Sequence, residues 1–438
     1  MPQADLKEVT TEREAPTEAR IPLAGHARSS RPHRPAGWAR SYARLFSPAA
    51  IVASQSVVDR DADLRVRRLS AAASDRIGQR MRPTRRRMRA LTLSPGARLQ
   101  WRSVPVPPPP GPHGAIVHPI AIATCDMDPM IALGSTPFPL PLHLGHECVA
   151  EVLSIGSDVD NVRPGDRVVV PFQISCGACA ACRSGRTANC TAVPPSSMYG
   201  FGLAGGHWGG ALSDELAVPF ADAMLVKLPG GIEPAAAASV GDNVSDGYRH
   251  VARHLPPLLE EDPDVQVLVL GAVSARAKYS ASVPLYAAIA ARALGARRIT
   301  VADARPGARE HAERLGIEAI EPGELKDRPP ARLVAEVSGK PPGLRLALES
   351  AADDGIVSSS GTLHASARIP TLRMYAHNAS LHLGRTHARA VMPEVLDLMS
   401  QGRLQPETIT TCLAPIDEAP AALRDHFVRG GTKTILTA

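Results

Sequence analysis

The sequence lacks several features that would assign it to common classes of protein. Its 438 residues contain no run of about 18 apolar residues, which gives no support for a membrane-spanning helix or a membrane partner. Aromatic residues make up only 3% of the chain, which argues against a platform of stacked rings for single-stranded nucleic acid. Nothing at the N-terminus has the pattern of a secretion signal, so we expect a cytoplasmic protein without disulfides.

The positive charge is concentrated in the first part of the chain. Residues 1–87 carry a net charge of +9, whereas the remaining 351 residues carry −3. A mildly acidic body offers no electrostatic footprint for nucleic acid, and we expect no nucleic-acid partner. Low hydrophobicity and high charge predict that residues 1–87 form a disordered basic extension. A targeting peptide and a nucleic-acid-binding arm are the functional alternatives for this segment.

What the sequence does contain is a dense cluster of cysteines. Four of the seven cysteines lie in one short segment with the spacing C-x2-C-x2-C-x7-C, namely Cys176, Cys179, Cys182 and Cys190. Four thiolates from one loop can close a tetrahedral Zn²⁺ site with no open position, which is a structural site. Iron–sulfur ligation also uses four thiolates, and unmetallated thiols are a further alternative. We favour structural zinc.

A second set of candidate metal ligands is spread along the chain. Cys125 ends a strand-like run, and a Gly-His-Glu motif downstream provides His146 and Glu147. Asp242 follows further along. One Cys, one His and one carboxylate can hold Zn²⁺ and leave the fourth position for water or substrate, as in a catalytic site. Taken singly, each residue has a structural alternative, because a lone His is most often structural and Asp242 could cap a helix.

At these motifs the chain resembles the zinc-dependent medium-chain alcohol dehydrogenase family. Cys125, the Gly-His-Glu motif, the turn at 162–168, the four-cysteine segment and a later nucleotide-domain pattern occur in the order expected of that family. The resemblance extends from about Met88 to Ala438. It implies an α/β fold, and it also implies a homo-dimer or homo-tetramer.

The resemblance further implies how the chain divides into domains. A GroES-like, β-rich catalytic domain would span residues 88–251 and 378–438, with a zinc lobe around 176–190. A Rossmann-type domain with a doubly wound parallel sheet would span residues 252–377 and bind NAD. The active site would lie in the cleft between the two domains.

The chain itself shows the alternation expected of a nucleotide domain. Residues 265–271 read as a buried parallel strand that ends at Gly271, residues 285–295 as a helix and residues 298–303 as the next strand. Asp303 closes that second strand, where an acid would accept hydrogen bonds from the ribose hydroxyls and repel a 2′-phosphate. NAD is therefore favoured over NADP, with a turn residue as the structural alternative for Asp303.

The glycine fingerprint of this domain is poor. By the resemblance to the family named above, Pro284 stands where the third glycine of the G-x-G-x-x-G pattern would be. Gly271 and Pro284 are 13 positions apart, whereas about five positions separate the first and third glycines of the pattern, so about eight residues look inserted. The missing glycines matter because they let the backbone approach the pyrophosphate. Arg276 and Lys278 could compensate by charge, or the long loop could block the pocket. Arg385 is a further candidate to reach the cofactor, with a surface charge as the alternative.

By resemblance, Cys125, His146 and Asp242 would be the ligands of a catalytic zinc, with Glu147 a neighbouring carboxylate that can approach the metal. The predicted reaction is hydride transfer between an alcohol, or its carbonyl partner, and NAD, with Zn²⁺ as Lewis acid. The pattern departs at Met127, where the family commonly has a Ser or Thr that passes on the alcohol proton.

Because a thioether cannot relay a proton, a water with Asp126, Ser245 or Asp246 would have to serve instead of Met127. Two other functions stay open. One is a polyol or amino-alcohol dehydrogenase, or a carbonyl reductase, of the same fold. The other is a zinc-bound scaffold that has lost turnover.

Overall fold

The structure, a computed structural model, describes residues 18–20, 86–136, 138–361 and 366–438. These residues form two sheets that are largely antiparallel and one parallel sheet, with helices packed against them. Across the described ranges, no helix combines the length and the apolar character needed to cross a membrane. The α/β class expected from the sequence is confirmed.

The smaller antiparallel sheet is built near the N-terminal end of the chain. Its strands are β1 (Glu18–Arg20), β2 (Arg87–Ser94), β3 (Arg98–Pro105) and β5 (Leu142–His143). Their spatial order is β1-β3-β2-β5. The pairing of β5 with β2 places the segment that leads into the Gly-His-Glu motif against this sheet.

Strand β1 corrects the expectation that the whole of residues 1–87 lacks regular structure. Ala19 is 5% exposed and pairs with Leu99, and Glu18 lies 3.4 Å from the guanidinium of Arg98. The physical reason is that β1 satisfies the backbone groups on the outer edge of β3, which would otherwise be an open sheet edge. The rest of the extension, up to residue 85, lies outside the described residues.

The larger sheet combines segments from the middle and the end of the chain. Its strands are β4 (Ala115–Ala123), β6 (Glu147–Ile155), β7 (Arg167–Val170), β8 (Leu216–Val218), β9 (Val226–Lys227), β16 (Cys412–Pro415) and β17 (Thr434–Thr437). The order is β16-β17-β4-β6-β7-β9, with β8 also paired to β4. All neighbours are antiparallel except β16 and β17.

The third sheet is the doubly wound parallel sheet that the sequence predicts. Its strands are β10 (Gln266–Leu270), β11 (Arg298–Ala302), β12 (Glu318–Ile320), β13 (Ala331–Glu336), β14 (Ala351–Ser359) and β15 (Ser380–Leu383). Their order is β12-β11-β10-β13-β14-β15, and all neighbours are parallel. Strand β15 lies beyond residue 377, where the sequence interpretation ends the nucleotide domain.

Helices cover the sheets and connect them. They are α1 (Asp128–Ala132), α2 (Ala180–Arg183), α3 (Ala221–Met224), α4 (Pro234–Ala237), α5 (Asn243–Ala252), α6 (Leu255–Glu261), α7 (Ser282–Ala293), α8 (Pro306–Arg314), α9 (Pro341–Glu349), α10 (Thr371–Ala376), α11 (Ala388–Ser400) and α12 (Ala419–Arg429). Short 3-10 helices occur at Thr187–Asn189, Gly202–Gly205, Pro322–Asp327, Pro406–Ile409 and Ile416–Glu418.

Two of these helices bring the functional segments together. The alanine-rich α7 is buried except at Arg292, as expected of a helix that is apolar on nearly all sides. It packs against α5, and their N-terminal ends meet where Ser282 Oγ donates to Asn243 Oδ1 at 3.0 Å. The helix predicted over 285–295 thus begins earlier, because Pro284 is accommodated in its first turn.

Candidate active site

The four-cysteine segment forms a compact thiol cluster. One Sγ atom from each of Cys176, Cys179, Cys182 and Cys190 lies within 4.8 Å of the others, and all seven cysteines of the chain are free. The amide of Cys179 donates to Cys176 Sγ at 3.3 Å, and the amide of Cys176 donates to Cys190 Sγ at 3.4 Å. Such bonds stabilise thiolates, so the cluster fits a closed tetrahedral zinc site.

Contacts within this cluster shift the thiol pKa values in opposite directions. The hydrogen bond from Cys190 lowers the pKa of Cys176 to about 4, and the same contact raises the pKa of Cys190. Burial raises the pKa of Cys182 to about 11. A bound metal ion would favour the thiolate form of all four cysteines.

The predicted catalytic ligands come together from three separate parts of the chain. Cys125 follows β4, His146 immediately precedes β6, and Asp242 immediately precedes α5. Their donor atoms lie within 4.8 Å of one another, with His146 Nε2 at 3.2 Å from Asp242 Oδ2. All three side chains are buried. The donors suit zinc, and three of them leave a fourth position open.

The glycine of the Gly-His-Glu motif is required by this geometry. Gly145 has a φ of +87°, and a Cβ built on it would lie 2.6 Å from the backbone nitrogen of Leu212. The backbone of residues 210–212 thus passes directly against the turn that presents His146. The imidazole ring is held from other sides by Phe201 and Phe172, at centroid distances of 4.9 Å and 6.0 Å.

The electrostatics of the three donors follow from their burial. Burial raises the pKa of Cys125 well above its usual value, and the nearby charge of Asp242 adds to the effect. Burial opposes the protonation of His146, but the hydrogen bond with Asp242 and the charges of Asp128 and Glu147 outweigh it and raise the pKa to about 9. A bound cation would favour both the thiolate and the neutral imidazole.

Glu147 is held by a residue that the sequence analysis missed. Lys433 Nζ lies 3.0 Å from Glu147 Oε1, and both side chains are fully buried. Lys433 also donates to Asn243 Oδ1 at 2.7 Å and to the carbonyl oxygen of Thr124. Burial favours a neutral amine, but the charge of Glu147 outweighs it and raises the pKa of Lys433. The available signal was a single Lys directly before the apolar strand β17.

Asn243 and Asp128 are two further residues that the sequence analysis did not assign to the site. Asn243 Nδ2 lies 2.8 Å from Asp242 Oδ2 and 3.4 Å from Cys125 Sγ, so one amide orients two donors. The Asn243 backbone amide donates to Glu147 Oε2 at 3.0 Å. Asp128 Oδ2 accepts the amide of Cys125 at 2.9 Å, and its Oδ1 has no hydrogen-bond partner among the described residues.

The three proton-relay alternatives to Met127 are all engaged elsewhere. Ser245 Oγ donates to the carbonyl oxygen of Val240 at 2.6 Å. Asp246 pairs with Arg249 at 2.5 Å. Asp126 is hydrogen-bonded to the start of α7. None of these contacts supports a relay role.

The predicted cofactor residues Gly271 and Asp303 do meet. Asp303 is fully buried, and a Cβ on Gly271 would lie 2.1 Å from Asp303 Oδ2, so only glycine allows this approach. Both carboxylate oxygens are already engaged: Arg305 NH2 lies 2.6 Å from Oδ2, and Arg305 Nε lies 2.9 Å from Oδ1. Ala272 N donates to Oδ2 at 3.0 Å.

Arg385 is placed elsewhere. Its guanidinium donates to the carbonyl oxygen of Ala188 at 3.0 Å and to Ser196 Oγ at 3.3 Å, in the segment around the last cysteine of the lobe. These contacts tie β15 and its following loop to the zinc lobe and do not support a cofactor role.

The inserted segment between Gly271 and α7 is folded into the nucleotide cleft. The carboxylate of Asp126 accepts the amides of Ser282 and Val283 at 3.1 Å and 3.0 Å. The hydroxyl of Tyr279 donates to the carbonyl oxygen of Ser338 at 2.7 Å. In the conformation described, these groups are hydrogen-bonded within the chain.

Comparison with known proteins identifies the family. The family model described as alcohol dehydrogenase GroES-like domain matches residues 111–230. A Mycobacterium tuberculosis protein named "Probable zinc-binding alcohol dehydrogenase" is 30% identical over 352 residues, which cover 78% of this chain and 86% of that protein. A glutathione-independent formaldehyde dehydrogenase of Pseudomonas aeruginosa is 32% identical over 264 residues, covering 57% of this chain and 61% of that enzyme.

Among solved structures, the alcohol dehydrogenase TADH from Thermus sp. ATN1 is 30% identical, with a TM-score of 0.72, and the match covers 80% of this chain and 99% of that one. The chain belongs to the zinc-dependent medium-chain alcohol dehydrogenase family. It is an oxidoreductase that works with zinc and a nicotinamide cofactor.

Proposed function

We propose that the chain transfers hydride between a small alcohol, or its carbonyl partner, and NAD, with one catalytic and one structural zinc ion. The two antiparallel sheets would form the catalytic domain and the parallel sheet the nucleotide domain. The observation that carries the proposal is the convergence of Cys125, His146 and Asp242 within 4.8 Å. Three buried donors from distant segments would be costly to bury together without a metal ion.

The side chains around the donors have separate tasks in this proposal. When bound, zinc supplies a Lewis acid that polarises the oxygen of the substrate. Asn243 orients Asp242 and Cys125 through its side-chain amide. Lys433 Nζ and the Asn243 backbone amide each hold one carboxylate oxygen of Glu147. Glu147 therefore lies near the metal ligands with both of its oxygens engaged.

The size of the substrate is suggested by the aromatic rings beside His146. Phe201 and Phe172 pack on the imidazole, and Phe138 packs edge-on against Phe201 at a centroid distance of 5.1 Å. These rings make one side of the metal-donor set apolar, and a short substrate with an apolar body is part of this proposal. The relatives named as formaldehyde dehydrogenases are consistent with a small aldehyde or alcohol.

A polar substrate loses its support from the sequence. The chain offers three acids near the site for the polyol and amino-alcohol alternative, namely Asp126, Asp128 and Asp246. Each of them accepts a hydrogen bond from within the chain or forms an ion pair. These contacts give the three acids structural roles, and Asp128 Oδ1 is left without a hydrogen-bond partner among the described residues.

The choice of cofactor follows from Asp303. A carboxylate at the end of β11 is suited to the ribose hydroxyls of NAD and repels the 2′-phosphate of NADP. The pair with Arg305 engages both carboxylate oxygens of Asp303, so in this proposal the pair opens before Asp303 accepts hydrogen bonds from a ribose. Titration of the zinc-loaded protein with NADH and NADPH in parallel would test this preference, and tighter NADPH binding would reverse it.

The proposed oligomer is a homo-dimer that forms through the open edge of the parallel sheet. On its outer side, β15 has no neighbouring strand among the described residues. Large apolar side chains are exposed there, at 80% for Leu372, 83% for Tyr375 and 58% for Leu383. An open strand edge with such side chains is suited to pairing with a second copy. Light scattering on wild type and on Leu383→Lys would test a homo-dimer.

The seven free thiols support a reducing compartment, and we place the protein in the cytoplasm. Activity is tested by following NADH absorbance while the zinc-loaded protein acts on short alcohols and aldehydes. We expect turnover in wild type and none above background in His146→Ala. A protein that holds zinc at both sites but turns over no member of the series would favour the zinc-bound scaffold instead.

A further inference from the structure

The cofactor cleft of the parallel sheet lies at its topological switch point. The strand order reverses between β10 and β13, and in doubly wound sheets a dinucleotide binds at the carboxyl ends of the strands there. The pyrophosphate is normally held at the N-terminus of the helix that follows the first strand. In this chain that helix is α7, and its first amides belong to Ser282 and Val283.

These amides already hold an anion that belongs to the chain. Ser282 N and Val283 N donate to the two carboxylate oxygens of Asp126 at 3.1 Å and 3.0 Å, and Ser282 Oγ donates at 2.5 Å. Asp126 is 8% exposed. A negative charge in this position is stabilised by the dipole of the helix. Asp126 thus makes the contacts that the cofactor pyrophosphate would otherwise make.

A second contact crosses the cleft at the switch point itself. Tyr279, from the inserted segment after β10, donates its hydroxyl to the carbonyl oxygen of Ser338 at 2.7 Å, just beyond β13. Its ring is covered by the guanidinium of Arg305 at 5.0 Å. Arg305 also donates to the carbonyl oxygens of Tyr279 and Ser280 at 2.5 Å and 2.8 Å while it pairs with Asp303.

The end of the segment is fixed to the catalytic side of the molecule. Ser280 N donates to the carbonyl oxygen of Asp126 at 3.2 Å, and Ser280 Oγ lies 2.9 Å from His426 Nε2. The segment is therefore attached to both strands of the switch point and to the residue next to the metal ligand Cys125. These contacts place the segment at the carboxyl ends of β10 and β13, where doubly wound sheets bind a dinucleotide.

We propose that residues 272–283 form an internal strap that occupies the cofactor's place, with Asp126 standing in for the pyrophosphate, and that NAD(H) binds only when the strap undocks. The proposal rests on the proposed function, which supplies the nicotinamide cofactor. The apparent affinity for NADH is then the affinity of the undocked form multiplied by the fraction of molecules in which the strap is undocked.

The affinity test uses the full-length, zinc-loaded chain titrated with NADH by calorimetry. Asp126→Asn removes the competing charge, and Tyr279→Phe removes one strap contact without changing the charge. We expect Asp126→Asn to bind NADH about tenfold more tightly than wild type, and Tyr279→Phe to bind it several-fold more tightly. The matched control is Asp264→Asn, at an exposed position, and it should leave the affinity unchanged.

The kinetic test separates the strap from simple charge repulsion. If the strap must undock first, the observed rate of NADH binding in stopped-flow fluorescence levels off at high NADH, and Tyr279→Phe raises the plateau. A rate that rises linearly with NADH in wild type, together with an unchanged affinity of Tyr279→Phe, would overturn the strap and leave the proposed function standing. Failure of wild type and both variants to bind NADH, with zinc content intact, would overturn both.

Discussion

Lys433 Nζ and Glu147 Oε1 form an ion pair of 3.0 Å in which both side chains are fully buried. Glu147 begins β6 and Lys433 directly precedes β17, so the two residues are 286 positions apart in the sequence. The pair joins the start of β17 to the Gly-His-Glu motif, beside the candidate catalytic metal ligands. A buried charge with no partner is far more costly than an exposed one, so this pair should be sensitive to the loss of either member.

The first prediction concerns removal of the lysine. Lys433→Met leaves Glu147 buried without its counter-charge, and we expect the free energy of unfolding in urea to fall by about 3–5 kcal/mol. The double variant Lys433→Met with Glu147→Gln should recover a large part of that loss. Lys227→Met is the control, because its pair with Asp166 is largely exposed at the lysine and its loss should be about 1 kcal/mol or less. Equal losses for Lys433→Met and Lys227→Met would refute the prediction.

The second prediction concerns the thiol cluster. Cys179→Ser breaks the four-thiolate set, and we expect the protein to lose one zinc ion per chain and to unfold at a lower temperature. The zinc held by Cys125, His146 and Asp242 should stay. Cys412→Ser is the matched control, because Cys412 is exposed and lies outside both clusters. Metal analysis and calorimetry check the result, and unchanged zinc in Cys179→Ser would argue against a structural site.

The third prediction concerns Met127, which stands where the family commonly has the hydroxyl of a Ser or Thr. Met127 is half-buried, and its backbone amide donates to Sγ of the candidate metal ligand Cys125 at 3.5 Å. Met127→Ser provides a group that can both accept and donate a proton, and we expect kcat to rise by about tenfold or more. Met127→Ala controls for the added space and should give no such increase. If both variants match wild type, the proton leaves by another route.

The fourth prediction concerns the pH dependence of stability. Burial lowers the pKa of His250 and of His426 to about 3, whereas both would titrate near about 6.5 in the unfolded chain. Since the folded-state pKa is the lower one, their contribution to stability is complete above about pH 6.5 and is lost as the pH falls toward 3. Between about pH 6.5 and 5.0, each histidine should cost about 2 kcal/mol of unfolding free energy.

Urea unfolding at several pH values measures this loss. His250→Asn should remove about 2 kcal/mol of the loss between about pH 6.5 and 5.0, while His113→Asn should not reduce that loss, because His113 is 67% exposed. A stability that stays flat from pH 7.5 to 5.0 would contradict the burial of these two imidazoles.

The fold and the metal donors could be predicted because their signals are local or ordered along the chain. The four cysteines lie in one loop, and the apolar run of β10 followed by an alanine-rich helix predicts the parallel sheet. Cys125, His146 and Asp242 are far apart in sequence, and their convergence was inferred from residue type and from family resemblance. The structure brings their donor atoms together.

What could not be predicted depends on contacts between distant segments. The bonds from Asp126 to Ser282 and Val283 join residues at least 156 positions apart, and no local pattern marks Asp126 as a partner of α7. The sequence showed that residues had been inserted after Gly271, and that the loop could block the pocket, but not which atoms it would contact. The pairing of β1 with β3 was missed because a three-residue strand leaves no periodicity to detect.

The central claim is that Cys125, His146 and Asp242 hold a zinc ion separate from the one in the cysteine lobe. Metal analysis of the purified protein and of Cys125→Ala tests it most directly. The account predicts about two zinc ions per chain, falling to about one in the variant. One zinc ion per chain in both proteins would mean that the cysteine lobe alone is metallated, and that result would contradict the dehydrogenase mechanism.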